Sequence, residues 1–284
     1  MKRLFIFIAA LGCFACEDVI EIETPAEPPR LSVDGIIRVK DSSTFTNVQV
    51  KVSLTSSFFE PLAMANIDQI KITNIDASSN MGSNSIELIE ENPGSGIYEN
   101  IVANSFLKEG RLELTINYEN NIYVAQTQFV PTVPIQRLEQ GTQTLFGGDE
   151  IEIIVAFDDD GSRDDFYIFD FDFDAFLVTE DEFYQGERFE FSYFYDNELS
   201  AGQEINVSIL GADLGFYNYM NQIIVQSGGD QGPFQTPSAT VRGNIINARI
   251  INNMDASDNF GQSNDFVLGY FAVVQEFSRS ITIE

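Results

Sequence analysis

From Leu31 onward the chain is written largely in twos. Val48, Val50, Val52 and Leu54 alternate with Gln49, Lys51 and Ser53, the period-2 pattern of a strand buried on one face. Ile70 and Ile72 repeat the pattern, as do Leu112, Leu114, Ile116 and Tyr118. Asn120-Asn121 then reads as a turn into the apolar run Ile122 to Phe129, a hairpin. Asn92-Pro93-Gly94-Ser95-Gly96 marks another turn, ahead of Ile97-Tyr98. About seven such strands within roughly a hundred residues, without a helical period, predict an antiparallel β-sandwich of immunoglobulin or transthyretin type.

The paired prolines of Val130-Pro131-Thr132-Val133-Pro134 favour an extended segment and set the expected boundary of that unit, residues 31–130. Residues 131–284 are expected to form a second β-rich domain. Its predicted strands are Glu150–Phe157, Phe166–Phe173, Arg188–Tyr195, Glu204–Leu210, Ala239–Ile245 and Phe266–Val274. One stretch differs: Leu214, Tyr217, Met220 and Ile224, with Phe216 and Ile223, recur at helical spacing. With Asp213 as N-cap and Gly228-Gly229 as terminator, one amphipathic helix is predicted near 213–226.

The amino terminus carries an address. Lys2 and Arg3 precede an uncharged run from Leu4 to Ala15, too short to span a bilayer but of the length of a signal-peptide core. Ala15 followed by Cys16 resembles the cleavage and lipidation site of a bacterial lipoprotein, with Gly12-Cys13 as a rival. Cys16 is preferred because Glu17 and Asp18 begin the polar chain, and an acidic pair there resembles a Bacteroidota surface-export signal. Residues 1–15 are thus expected to be removed, and residues 16–30, acidic and rich in proline, to tether the folded part to a membrane.

Composition narrows the chemistry. Loss of Lys2 and Arg3 leaves 13 basic against 44 acidic side chains, a net charge of −31, so nucleic acid is a poor partner. The chain has no His, which removes the commonest general base and zinc ligand and the His-dependent nucleophile pairs. With Cys16 acylated, thiol chemistry and disulfides go as well. Carboxylates alone can still catalyse, as in glycosidases, so absence of His and Cys favours a non-enzymatic role without excluding an enzyme.

Two acidic motifs stand out. Asp158-Asp159-Asp160-Gly161-Ser162-Arg163-Asp164-Asp165 could wrap Ca²⁺ through Asp158, Asp160, Asp164 and Asp165. It departs from the EF-hand loop, since Ala156 falls where the first Asp belongs if Gly161 is the sixth residue; a solvated acidic hairpin loop is the plainer reading. In Phe169-Asp170-Phe171-Asp172-Phe173-Asp174, strand alternation would place three Phe on one face and Asp170, Asp172 and Asp174 on the other, as a solvated face or an acidic groove. Phe189, Phe191, Tyr193 and Tyr195 read as core. Phe183, Tyr184 and Phe194 read as exposed contact residues, since aromatics are enriched at interfaces.

Several short segments, in order, carry a family resemblance: Cys16-Glu17-Asp18-Val19-Ile20-Glu21-Ile22, Leu31-Ser32-Val33-Asp34-Gly35, Gly96-Ile97-Tyr98 and Asp181-Glu182-Phe183-Tyr184-Gln185-Gly186. Towards the end come Tyr217-Asn218-Tyr219, Gly232-Pro233-Phe234, Pro237, Gly243-Asn244-Ile245 and Leu268-Gly269-Tyr270-Phe271. Together they resemble a large family of Bacteroidota lipoproteins known only as a domain of unknown function and often encoded beside TonB-dependent outer-membrane transporters. The resemblance implies a lipid anchor in the outer membrane, facing the cell surface, and an accessory or binding role with a transporter barrel; it supplies no catalytic residues. A structural or adhesive surface protein is the alternative reading, and a carboxylate-based glycan hydrolase a lesser one.

Overall fold

The computed structural model describes residues 28–56, 61, 63–77, 83–145, 147–195, 199–228, 240–249 and 266–284. The proposed lipid site Cys16, its leader, most of the tether and residues 229–239 lie outside these residues.

The alternating segments are strands as expected: β1 (Leu31–Val39), β2 (Phe45–Leu54), the two-residue β3 (Ala63–Met64), β4 (Gln69–Asn74), β5 (Ser85–Glu90) and β6 (Ile97–Ala103). A one-turn helix, α1 (Asn104–Lys108), leads to β7 (Arg111–Tyr118) and β8 (Asn121–Val130). The hairpin β7–β8 turns on Glu119 and Asn120, both at positive φ (48° and 62°), the two-residue turn that matches strand twist. It therefore sits one residue earlier than predicted.

The rest of the chain supplies β9 (Ile135–Gln140), β10 (Ile151–Asp158), β11 (Phe166–Asp170), β12 (Phe176–Glu180), β13 (Arg188–Tyr195) and β14 (Glu204–Ala212). The predicted helix follows as α2 (Leu214–Ser227), capped by Asp213, whose carboxylate accepts from the Phe216 N–H at 2.7 Å. Then come β15 (Ile246–Asn247) and the fifteen-residue β16 (Leu268–Thr282). Residues 240–245 are not a strand as expected. There the Asn244 carboxamide replaces a ladder, donating to the Phe271 carbonyl at 2.8 Å and accepting from the Phe271 N–H at 2.9 Å.

The first eight-strand set is a barrel rather than the expected sandwich. Neighbours run β16-β1-β2-β6-β5-β4-β7-β8, and β8 pairs back to β16, closing the ring. Closure depends on β16, which lies parallel both to β1 (Ser32–Val39 against Leu268–Gln275) and to β8 (Phe129 and Val130 against Val273 and Val274). Inward residues are Val33, Ile37, Val48, Val50, Ile70, Ile72, Leu112, Leu114 and Ile116, all buried. Burying each such side chain contributes about 1.5–3 kcal/mol. Gly269 (φ +97°) allows β16 to begin against the Val33 carbonyl, which a Cβ would strike.

β16 then leaves the barrel and becomes the last strand of β12-β11-β14-β16. One face of that sheet meets the three-stranded sheet β13-β10-β9 through Phe157, Tyr167, Phe169, Phe171 and Tyr195. The other face carries α2, whose Phe216 and Met220 pack with Ile168, Leu210 and Tyr270. Side chains of β16 thus enter all three cores: Phe271 and Val273 the barrel, Tyr270 and Val274 the helix layer, Phe277 and Ile281 the aromatic layer.

Candidate functional site

The Phe-Asp repeat does not continue as a strand. β11 ends at Asp170, and Asp172, Phe173 and Asp174 all adopt left-handed conformations (φ 59°, 53° and 58°). A single left-handed L-residue costs about 1–2 kcal/mol, least for Asp and Asn. The turn is held from several sides. The Phe171 N–H donates to Ala175 O and the Ala175 N–H to Asp172 O, both at 2.9 Å. The Asn206 N–H donates to Asp172 Oδ2 at 2.6 Å, and the Tyr195 hydroxyl to Phe171 O at 2.6 Å. The Phe171 ring lies flat on Tyr193, centroids 3.9 Å apart. Phe169 and Phe171 are buried as expected, but the turn swings Phe173 outward, 52 % exposed.

This turn walls a cleft of about 570 Å³ whose floor is the outer face of the barrel. Asp170, Asp172 and Asp174 all line it. β1 contributes Asp34, Ile36 and Arg38, and β2 contributes Asn47, Gln49 and Lys51. The β1–β2 ladder is paired only from Leu31–Leu54 to Asp34–Lys51, although β1 runs on to Val39 and β2 starts at Phe45. The floor lies where the two strands have parted.

Its charges are unevenly used. Arg38 Nη1 holds Asp170 Oδ2 at 2.7 Å and stands 3.8 Å from Glu276, which is buried and also accepts from the Ser208 hydroxyl at 2.8 Å. Lys40 reaches the same Glu276 at 3.5 Å. Asp172 is occupied by the Asn206 N–H. Asp34, Asp174 and Lys51 line the cleft without an ion pair or side-chain hydrogen bond among the described residues.

The Asp158–Asp165 loop spends its carboxylates locally. Asp159 accepts from the Tyr167 hydroxyl and from the Gly186 N–H, and Asp165 takes Arg163 Nε at 2.6 and 2.8 Å. Tyr167 OH also stands 2.9 Å from Asp165. Asp160 binds the Ser162 hydroxyl, Asp164 the Gln185 amide, and Asp158 faces Arg188 at 3.7 Å. Burial pushes the Asp165 carboxyl and the Tyr167 hydroxyl up from their ordinary ranges. The loop does not gather Asp158, Asp160, Asp164 and Asp165 around one point, and no group of three or more acidic side chains among the described residues is placed to hold a metal ion.

The three aromatic contact candidates do not gather either. Phe183 sits on a 3-10 turn after β12 and is 89 % exposed. Tyr184 is buried, contrary to expectation, stacked on Phe189 at 4.1 Å with its hydroxyl 3.0 Å from Thr179 Oγ1. Phe194 is half-buried on β13, opposite Glu152.

Missed by sequence reading were the cleft floor on β1 and β2 and a second opening of about 520 Å³ at one end of the barrel. There the Phe266 ring has the Arg30 and Arg242 guanidiniums each 4.1 Å from its centroid. Outward polar residues of a half-buried strand carry no signal separating floor from solvent.

The fold therefore defines a β-barrel joined through a shared strand to a three-layer unit, with a mixed-charge cleft at the junction. The chain belongs to the family described as Domain of unknown function (DUF4249), whose model matches residues 17–280. No curated protein matches the chain.

Proposed function

We propose that this protein is an outer-membrane lipoprotein of a Bacteroidota cell surface, anchored through Cys16, and that it serves as a non-catalytic binding module for a TonB-dependent transporter barrel. The observation that carries the binding reading is the cleft wall, three successive non-glycine residues held in left-handed conformation so that Phe173 stands at the opening. Strain of this kind persists only where the surroundings enforce it, and it concentrates at functional sites. A cleft of this size also favours binding over a spacer role. The hydrolase alternative is weakened because Asp170 and Asp172 are engaged by Arg38 and by the Asn206 N–H, which leaves no open carboxyl pair among the three Asp residues.

The test is purification of the native protein from membranes. Mass spectrometry should find lipid on Cys16, and a barrel protein of the outer membrane should co-purify with wild type but be lost with Phe173→Ala. Recovery of an unlipidated chain starting past Cys16, or of no barrel at all, would sink this reading.

A further inference from the structure

Resting on that binding role, we propose that the outer face of the barrel beside the cleft seats a protein segment presenting a guanidinium or ammonium group among apolar side chains.

Strand register assembles this surface. β2 points Thr46, Val48, Val50 and Val52 inward and Phe45, Asn47, Gln49 and Lys51 outward. Ile101 of β6 lies directly across from Asn47, and Glu99 across from Gln49. Ile89 of β5 lies across from Glu99. Phe45, Ile101 and Ile89 therefore run diagonally over one outward face, and they are 57 %, 72 % and 63 % exposed. Diagonal neighbours on a sheet lie about 7–8 Å apart, so the three side chains form one stripe. The register predicts polar residues at these outward positions, and an exposed apolar stripe with a polar rim marks a protein contact surface.

The stripe adjoins the cleft through Asn47 and Gln49, whose amides are tied to Glu99 at 3.1 and 3.2 Å. Beyond them Asp34 stands directly across from Lys51 in the β1–β2 register, Asp174 has no cationic partner among the described residues, and Arg38 is consumed by Asp170 and Glu276. The lining sets four carboxylates, Asp34, Asp170, Asp172 and Asp174, against Arg38 and Lys51, and the exposed face of Phe173 can take a cation by its ring quadrupole. Charge complementarity thus selects a basic group at the cleft and apolar side chains along the stripe. An anionic partner is rejected by both the cleft and the chain's overall charge of −29.

The experiment uses the mature protein and fluorescent decapeptides read by anisotropy: alternating Leu-Arg, alternating Leu-Glu and alternating Ser-Arg. Leu-Arg should bind at least about tenfold more tightly than either of the others. Asp34→Asn/Asp174→Asn should weaken it by about tenfold, as should Phe45→Ser/Ile101→Ser. A control of equal charge change far from the cleft, Glu182→Gln/Glu187→Gln, should stay within about twofold, because exposed distant charges are screened. All substituted side chains are on the surface, and unchanged melting temperatures establish that each variant is folded. Equal binding of Ser-Arg, equal weakening by the control, or no binding of Leu-Arg at about 1 mM would overturn the proposal. If Leu-Arg fails while the Phe45/Ile101 variant still loses the co-purifying barrel, the ligand class falls and the binding role stands; if Leu-Arg binds and no barrel co-purifies, the reverse holds.

Discussion

Inside the barrel the buried side chains are mostly Val, Ile and Leu, with Phe271 and Tyr98 the aromatic exceptions. Between the two sheets of the second region Phe157, Tyr167, Phe169, Phe171, Tyr184 and Tyr195 join the Val and Ile side chains and pack ring against ring, with the Asp159 and Asp165 carboxylates reaching in from the edge. In the barrel the Tyr98 hydroxyl accepts from the Ile67 N–H at 3.2 Å and holds the link between β3 and β4. The aromatic layer anchors the turn at the cleft and the acidic loop: Tyr195 pins the left-handed turn, and Tyr167 ties together the acidic loop. β-branched residues fill a closed sheet with few rotamers to lose, whereas a Tyr brings a large apolar body and a hydroxyl that can hold a loop. The cleft stands where these two kinds of core meet.

The sharpest way to break that contrast is to delete one ring. Phe157 lies 5.0–5.9 Å from the rings of Tyr167, Phe169, Tyr184 and Phe189, so Phe157→Ala should cost about 3–5 kcal/mol in urea unfolding. Ile72→Val in the barrel should cost only about 0.5–1.5 kcal/mol.

Next in size is Tyr167→Phe, which leaves the Asp159 and Asp165 carboxyls without their shared hydroxyl and should cost about 1–3 kcal/mol at neutral pH. The loss should shrink in acid. Asp165 has a folded pKa raised above its ordinary 3.8, mainly by burial, so the stability tied to its protonated form is present below that value and lost as pH rises through the raised one. Melting curves from pH 4 to 8 should therefore diverge upward in pH.

Glu152 has the opposite sign. It is buried, and the Ser192 hydroxyl and the Gln143 N–H hold its carboxyl below the ordinary 4.5. Its stabilisation is present above that value and lost as pH falls through the lowered one. Glu152→Gln should lower the melting temperature at pH 7 and flatten the acid decline below about pH 4.5. The smallest effect is expected from Phe173→Gly, which relieves left-handed strain but loosens the unfolded chain. Stability should change by no more than about 1 kcal/mol, while binding at the cleft is lost.

Sequence pattern foretold the parts that depend on near neighbours. Alternation located most strands, and Asp213 with the Phe216–Met220 spacing located α2 within a residue. Barrel closure was hidden because β1 and β16 pair over more than two hundred residues, in parallel, with no turn between them to announce it. The Asp170, Asp172 and Asp174 set reached one cleft, though by a different geometry. Three left-handed non-glycine residues have no sequence signature, so alternation put Phe173 on the same strand face as Phe169 and Phe171. Tyr184 and Phe183 are adjacent in sequence, and only the 3-10 turn decides which one is buried.

The position of β16 has a consequence for the order of folding. It supplies residues to every core of the protein, yet it follows all the other described strands in sequence. The barrel cannot be sealed, nor the aromatic layer completed, from the preceding strands alone. Whatever they form earlier stays open-sided until β16 arrives, so the three cores are expected to be finished together.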